Sequence, residues 1–263
     1  MKTTSNIAYV VQEGKGIPLV LLHGLCEDHE IWSEFIKAFP GRHIIRIDLP
    51  GFGQSEVYGN GSLRAMAEAV HKVLQKEQVR KSIMIGHSMG GYVALEYAKK
   101  HGEERLAGLG LFHSHPYEDT QERKDIRRKT IAHIDNYGTA QYVQQLFQSI
   151  TTPQFNKEHS EVIDALVKKA QRLSATGVAT AIEAIRTRKD NTEVLRDLRC
   201  PVLFIVGAKD QIIPAKMSLQ QLILPKIADI HLLPETGHLG MIENKEETQK
   251  MVSNFIELCE MYN

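Results

Sequence analysis

The chain has 263 residues, 42% hydrophobic and 24% charged, with 32 basic against 32 acidic side chains. That length suits one α/β domain, or one domain plus an insertion, with a large core. A formal charge of zero without long blocks of one sign excludes nucleic acid and the membrane as expected partners and leaves a small-molecule role.

The stretch MKTTSNIAYVVQEGKG has no apolar segment behind a basic start, and no run reaches 18 apolar residues, so a soluble, cytoplasmic protein is expected. Within it, NIAYVVQEGKG reads as an antiparallel edge hairpin. Apolar runs then recur at 17–24 (IPLVLLHG), 43–51 (HIIRIDLPG), 82–88 (SIMIGHS), 106–114 (LAGLGLFHS), 201–210 (PVLFIVGAKD) and 228–234 (ADIHLLP). Runs apolar on both faces indicate strands of a parallel sheet covered by helices. Crossover helices are predicted over 62–79, with Ser62 as N-cap, over 89–100, ending at Gly102, and over 244–261. The alternation implies a doubly wound α/β sheet.

Residues 116–190 break this rhythm with three or four amphipathic helical patterns and no convincing strand. They read as a helical insertion in a core formed by 1–115 and 191–263. The cluster ERKDIRRK, 122–129, reads as the solvated face of the first inserted helix, with an anion-binding surface as the alternative. Cys26, Cys200 and Cys259 are far apart and outside any CxxC spacing, which argues for free thiols rather than a disulfide framework or a zinc site.

Gly86-His87-Ser88-Met89-Gly90 matches G-x-S-x-G where a predicted strand must reverse into a predicted helix. A serine on so tight a turn takes a sparsely populated backbone conformation, and side chains two residues to either side would collide, so glycine is needed at both. Its hydroxyl would project above the carboxyl edge of the sheet, where pockets of open α/β sheets lie. A serine hydroxyl is a poor nucleophile at neutral pH unless a base takes its proton, and that base needs an orienting carboxylate. Asp210 follows one later strand and His238 the next. The other histidines look like helix-surface, mid-strand or locally bonded residues, and Asp48 reads as a tie for its adjacent loop.

Acyl transfer places negative charge on a carbonyl oxygen, which preorganised N–H groups stabilise. The backbone N–H of Met89 offers one such donor, at a helix N-terminus. The N–H of Leu25, after Gly24, offers the second. Trp32, Phe52, Phe112, His113 and Met241 lie beside these loops, either lining an acyl pocket or packing in the core. No complete G-x-G-x-x-G or G-x-x-x-x-G-K-[ST] occurs, so no nucleotide cofactor is expected, and nothing calls for a metal.

Taken together, HGL at 23–25, DLPGFGQS at 48–55, GHSMGG at 86–91, GAKDQIIP at 207–214 and ETGHLGMIE at 235–243 resemble the α/β-hydrolase superfamily, in the Ser, Asp, His chain order that such enzymes use. The resemblance implies a Ser88-His238-Asp210 triad on an eight-stranded, mostly parallel sheet with a helical cap. A serine nucleophile sets the chain apart from haloalkane dehalogenases and soluble epoxide hydrolases, which use aspartate there. The reading expected first is a serine hydrolase that cleaves a carboxylic ester of a small, largely uncharged substrate through an acyl-enzyme. The alternatives are a carbon-carbon bond hydrolase or enol-lactonase acting on a small keto acid or lactone, with a cationic anchor in the pocket, and a receptor-like binding protein of the same fold.

Overall fold

Strand β1 (Lys2–Thr4) and strand β2 (Ile7–Gln12) form a hairpin whose two loop residues, Ser5 and Asn6, have φ of +49° and +63°, the left-handed pair that a tight hairpin turn requires. Strands β3 (Lys15–Leu22), β4 (Arg42–Ile47), β5 (Ser82–His87), β6 (Leu106–Phe112), β7 (Val202–Gly207) and β8 (Ala228–Leu233) complete one sheet in the order β1-β2-β4-β3-β5-β6-β7-β8. Pairing is antiparallel at β1-β2 and β2-β4 and parallel elsewhere. This computed structural model describes the backbone of residues 1–263 and every side chain except that of Glu103.

Strands β5, β6 and β7 are buried at every position, as the continuous apolar runs predict, because helices flank the sheet. Helix α1 (Leu63–Lys76) buries Leu63, Met66, Ala67, Val70, Val73 and Leu74, one stripe of a helix of 3.6-residue period. Ser62 caps it by accepting the Ala65 N–H at 3.2 Å. Helix α2 (Met89–Arg105) runs through Gly102 instead of ending there and passes straight into β6. That glycine sits where α2 meets Leu198, so its lack of a side chain answers packing rather than termination.

Residues 116–190, between β6 and β7, hold five helices: α3 (Gln121–Tyr137), α4 (Ala140–Ser149), α5 (Pro153–Glu158), α6 (Ser160–Ala170) and α7 (Ala175–Arg186). The short α5 escapes periodicity analysis because six residues make less than two turns; Thr152 as N-cap and Pro153 in the first turn are its only signals. Helices α8 (Thr192–Asp197), α9 (Ala215–Leu219), α10 (Gly240–Glu243) and α11 (Lys245–Tyr262) complete the chain. Among the described residues no helix is long and apolar enough to cross a membrane.

Because β3 lies between β4 and β5, the chain leaves the sheet in opposite directions from β3, and the loops after β3 and β5 diverge at one edge. Asp48, just past β4, ties that edge together. Its carboxylate accepts the His29 N–H at 2.9 Å, His29 Nδ1–H at 2.7 Å and the Gln54 N–H at 3.0 Å. Burial works against its charge, but these bonds outweigh that and hold its pKa below the ordinary value. Asp48→Ala strands these donors and is expected to cost on the order of 3 kcal/mol. Thermal unfolding should show it as a Tm drop of several degrees, at roughly 2–4 °C per kcal/mol for a chain of this size.

Candidate active site

The fully buried β5 ends against Ser88, whose φ of +48° and ψ of −113° lie outside the regions that residues with side chains prefer. Such strain costs on the order of 1–3 kcal/mol and persists only where neighbours enforce it. Here the Ser88 N–H continues the ladder to the Phe112 carbonyl at 3.0 Å, and the Ser88 carbonyl accepts the Gly91 N–H at 3.0 Å and Ser114 Oγ–H at 2.8 Å. A Cβ on Gly86 would lie 2.2 Å from the Gly90 carbonyl oxygen, and one on Gly90 would lie 2.6 Å from the Leu22 carbonyl oxygen. The bend therefore packs backbone against backbone on both sides of the serine.

Asp210 and His238 come from the loops after β7 and β8, and the structure brings them together: His238 Nδ1 lies 2.6 Å from Asp210 Oδ2. The other carboxylate oxygen of Asp210 accepts the N–H groups of Ile212 and Ile213, both at 2.8 Å. Burial opposes ionisation of Asp210, yet the neighbouring imidazole and these bonds keep its pKa below the ordinary value. An ionised Asp210 takes the Nδ1 proton of His238 as its donor and leaves the Nε2 lone pair free. Ser88, His238 and Leu25 line one cavity of about 300 Å³. The Leu25 and Met89 N–H groups form no hydrogen bond among the described residues, and Met89 is the first residue of α2.

Two residues with no role in the motif reading, Glu27 and His87, join these parts. Glu27 Oε2 accepts the Gly24 N–H at 2.6 Å and lies 3.0 Å from His87 Nδ1, while His87 Nε2 donates to the His238 carbonyl at 2.8 Å. Both His87 ring nitrogens face acceptors, so the ring carries both protons. Burial disfavours each charge, but their attraction prevails: Glu27 is held below its ordinary value of 4.5 and His87 above its ordinary 6.5. The pair links the loop after β3, the serine bend and the histidine loop, a connection that sequence spacing could not disclose.

None of Trp32, Phe52, Phe112, His113 and Met241 lies on the wall that Ser88 and His238 share. Trp32 and Phe112 are fully buried and pack edge to face at 5.7 Å, with Phe35 alongside. His113, at φ +48°, is turned beneath the histidine loop, where the N–H groups of Gly207 and Gly240 lie 3.2 Å from its two ring nitrogens, and burial holds its pKa well below the ordinary value. Met241 instead borders a separate cleft of about 900 Å³ between the 26–34 segment and α6. Nearness in sequence to the loops is thus not direction of the side chain. Half of the wall comes from the helices between β6 and β7, through Arg123, Ile126, Arg127, Tyr142, Leu146 and Ile182 among others. In the larger cleft Asp28, His29 and Asp48 converge, but Lys169 Nζ occupies Asp28 at 2.6 Å and His29 occupies Asp48, so their lone pairs already have protein donors. Cys26 is buried, which pushes its thiol far up and away from a reactive thiolate.

A mostly parallel sheet, flanked by helices and opening a cavity where β3 and β5 part, defines a doubly wound α/β protein of the hydrolase type. The family model described as alpha/beta hydrolase fold matches residues 17–245, and the chain belongs to that family. It is 28% identical to a thermophilic esterase from Thermogutta terrifontis, whose malate-bound structure superposes with a TM-score of 0.90 over 97% of this chain and 94% of that one. The pimeloyl-[acyl-carrier protein] methyl ester esterase of Yersinia enterocolitica is 27% identical over 246 residues, 91% of this chain and 93% of that protein. The dihydrolipoyllysine-residue acetyltransferase component of the acetoin cleaving system from Pseudomonas putida is 30% identical over 243 residues; the match takes in 92% of this chain but only 64% of that protein.

The Glu27–His87 pair has a pH signature. The depressed Glu27 contributes stability that is present above 4.5 and lost as pH falls through its folded value; the raised His87 contributes stability that is complete below 6.5 and lost as pH rises through its folded value. The stability gap between the parent and a Glu27→Gln/His87→Gln double variant should therefore peak between 4.5 and 6.5 and narrow on both sides. Urea unfolding at about pH 4, 5.5 and 8 measures it; a gap unchanged across that range would mean that the pair is not ionic.

Proposed function

We propose that this hydrolase cleaves a carboxylic ester of a small substrate through an acyl-enzyme on Ser88. The observation that carries this reading is the shared wall: a serine on a strained bend and a histidine oriented by a buried carboxylate face one cavity of about 300 Å³. His238 Nε2 accepts the Ser88 Oγ proton as Oγ attacks the ester carbonyl, and returns it to the leaving alkoxide as the carbon–oxygen bond breaks. A water then attacks the acyl-enzyme, His238 takes its proton, and that proton passes to Ser88 Oγ as the acid departs. Asp210 holds the imidazole tautomer and stabilises its cation. The oxyanion formed in each half-reaction is received by the Leu25 and Met89 N–H groups, whose lack of other acceptors supports this assignment. The core is assigned to 1–115 and 191–263, and 116–190 to a cap that supplies half of the cavity wall.

Carbon-carbon bond hydrolysis or lactone opening of a keto acid uses the same machinery. One observation keeps it as the second reading: Arg123 and Arg127 lie on the cavity wall, where such a substrate needs a cation. Turnover of p-nitrophenyl butyrate against a vinylogous diketone acid separates the two.

A fluorophosphonate should label the protein stoichiometrically at Ser88, and Ser88→Ala should abolish labelling, seen by intact mass. Ester turnover should fall on the order of a million-fold in Ser88→Ala. Asp210→Asn, which upsets the tautomer rather than removing the nucleophile, should lose about ten-thousand-fold in kcat. An unlabelled native protein would sink the acyl-enzyme.

A further inference from the structure

We propose that Arg123 and Arg127 form a carboxylate-binding subsite inside the cavity of Ser88, so that the substrate is an ester carrying a second, free carboxylate. This rests on the hydrolase reading for the reaction but not for the binding.

Arg123, Ile126, Arg127 and Thr130, spaced i, i+3, i+4 and i+7, put one face of α3 on the cavity wall. The basic cluster of this helix therefore divides. Lys124 and Arg128 point outward, against Glu118 and Asp125, while Arg123 and Arg127 face inward.

Each inward guanidinium is held by one anchor and keeps other N–H groups unused. Arg123 Nη2 donates to the Ile212 carbonyl at 2.6 Å, the guanidinium's sole hydrogen bond among the described residues, and no carboxylate there pairs with it. Arg127 Nε donates to Asp119 Oδ2 at 2.5 Å, and its two terminal nitrogens form no hydrogen bond among the described residues. Asp119 has a fully buried side chain and is shared with Arg188, 2.9 Å away. Arg188 is fixed in turn by the carbonyls of Tyr117 and Ile185 at 2.9 and 2.8 Å and by the face of Tyr92.

Two guanidinium cations, Arg127 and Arg188, thus share one carboxylate, and Arg123 adds a third positive charge with no carboxylate of its own among the described residues. His115 beside them is kept neutral by burial and by the same arginines. Across the cavity Glu27 offers no compensation, because His87 already matches its charge. The remaining wall is largely apolar, with Ile126, Leu146 and Ile182 among its members. A half-buried cation without a counter-ion in such surroundings is costly, and a ligand carboxylate relieves that cost. Two planar donor forks one helical turn apart suit its oxygens.

The test is calorimetric titration of Ser88→Ala, which binds without turnover, with monomethyl succinate, glutarate and adipate, and with neutral methyl esters of matching length. At least one half-ester should bind roughly tenfold or more tightly than its neutral counterpart. Adding Arg123→Gln should bring that ratio close to one, and Arg123→Glu should turn it in favour of an ester bearing a trimethylammonium group. Arg123 holds only a carbonyl in the free protein, so these variants should fold, with circular dichroism melts as the check. Arg127→Gln, which also releases Asp119, serves as the second variant. Equal binding of charged and neutral esters, a preference untouched by Arg123→Gln, or equally strong competition by inorganic phosphate would overturn the carboxylate subsite. Hydrolysis of the same esters by the native protein reports separately on Ser88: selective binding without hydrolysis would defeat the hydrolase reading alone, and hydrolysis without charge preference would defeat the subsite alone.

Discussion

The chemistry available to the cavity depends on holding one residue, Ser88, in a backbone conformation that side-chain-bearing residues avoid. The positive φ turns the chain from β5 into α2 in a single step. The restoring force is met from the β6 ladder, from Ser114 and from the carbonyls at the end of β3, each pressed against a glycine or bonded to the serine backbone. Because β3 is the strand beside β5, the same contact that makes the bend tight brings the Gly24-Leu25 loop next to it. Strain, topology and the approach of the two loops are thus one constraint seen from three sides.

Around that bend, histidines of similar burial carry different proton counts because their partners differ. His23 uses one nitrogen toward the Gly24 carbonyl and accepts the Leu49 N–H with the other, the pattern of a neutral ring. His87 faces two acceptors and is charged. His113 has an amide at each ring nitrogen, of which a neutral ring accepts one, and burial keeps it neutral. In a low-dielectric interior a single well-placed donor or acceptor outweighs the ordinary imidazole preference. Asp210 and Glu27 are likewise ionised only because each meets an imidazole and backbone amides, so charge is concentrated near the cavity without leaving an unpaired carboxylate beside it.

The helices between β6 and β7 give this common arrangement its individual character. They supply half of the wall, and they also touch the histidine loop: the Ile150 carbonyl, at the end of α4, accepts the His238 N–H at 2.7 Å. A residue with no motif around it therefore helps to hold the loop that carries the histidine.

Local sequence was enough for what depends on local physics. Continuous apolar runs identified the parallel strands, capping residues and the stretches between those strands identified α1, α2 and α11, and a serine between glycines at a strand-to-helix junction marked the bend. Asp210 and His238 were legible as strand-end candidates because the carboxyl edge of such a sheet is where loops converge. Other features belong to pairs of residues far apart in the chain. Glu27 meets His87 across 60 positions, and the Arg123 guanidinium meets the Ile212 carbonyl across 89. The inward aim of two arginines in a helix that reads as solvated, and the burial of Trp32 and Phe112 beside loops that reach the cavity, follow from how helices and sheet pack. Periodicity tells which residues share a face; only the tertiary contacts decide whether that face meets water, core or ligand.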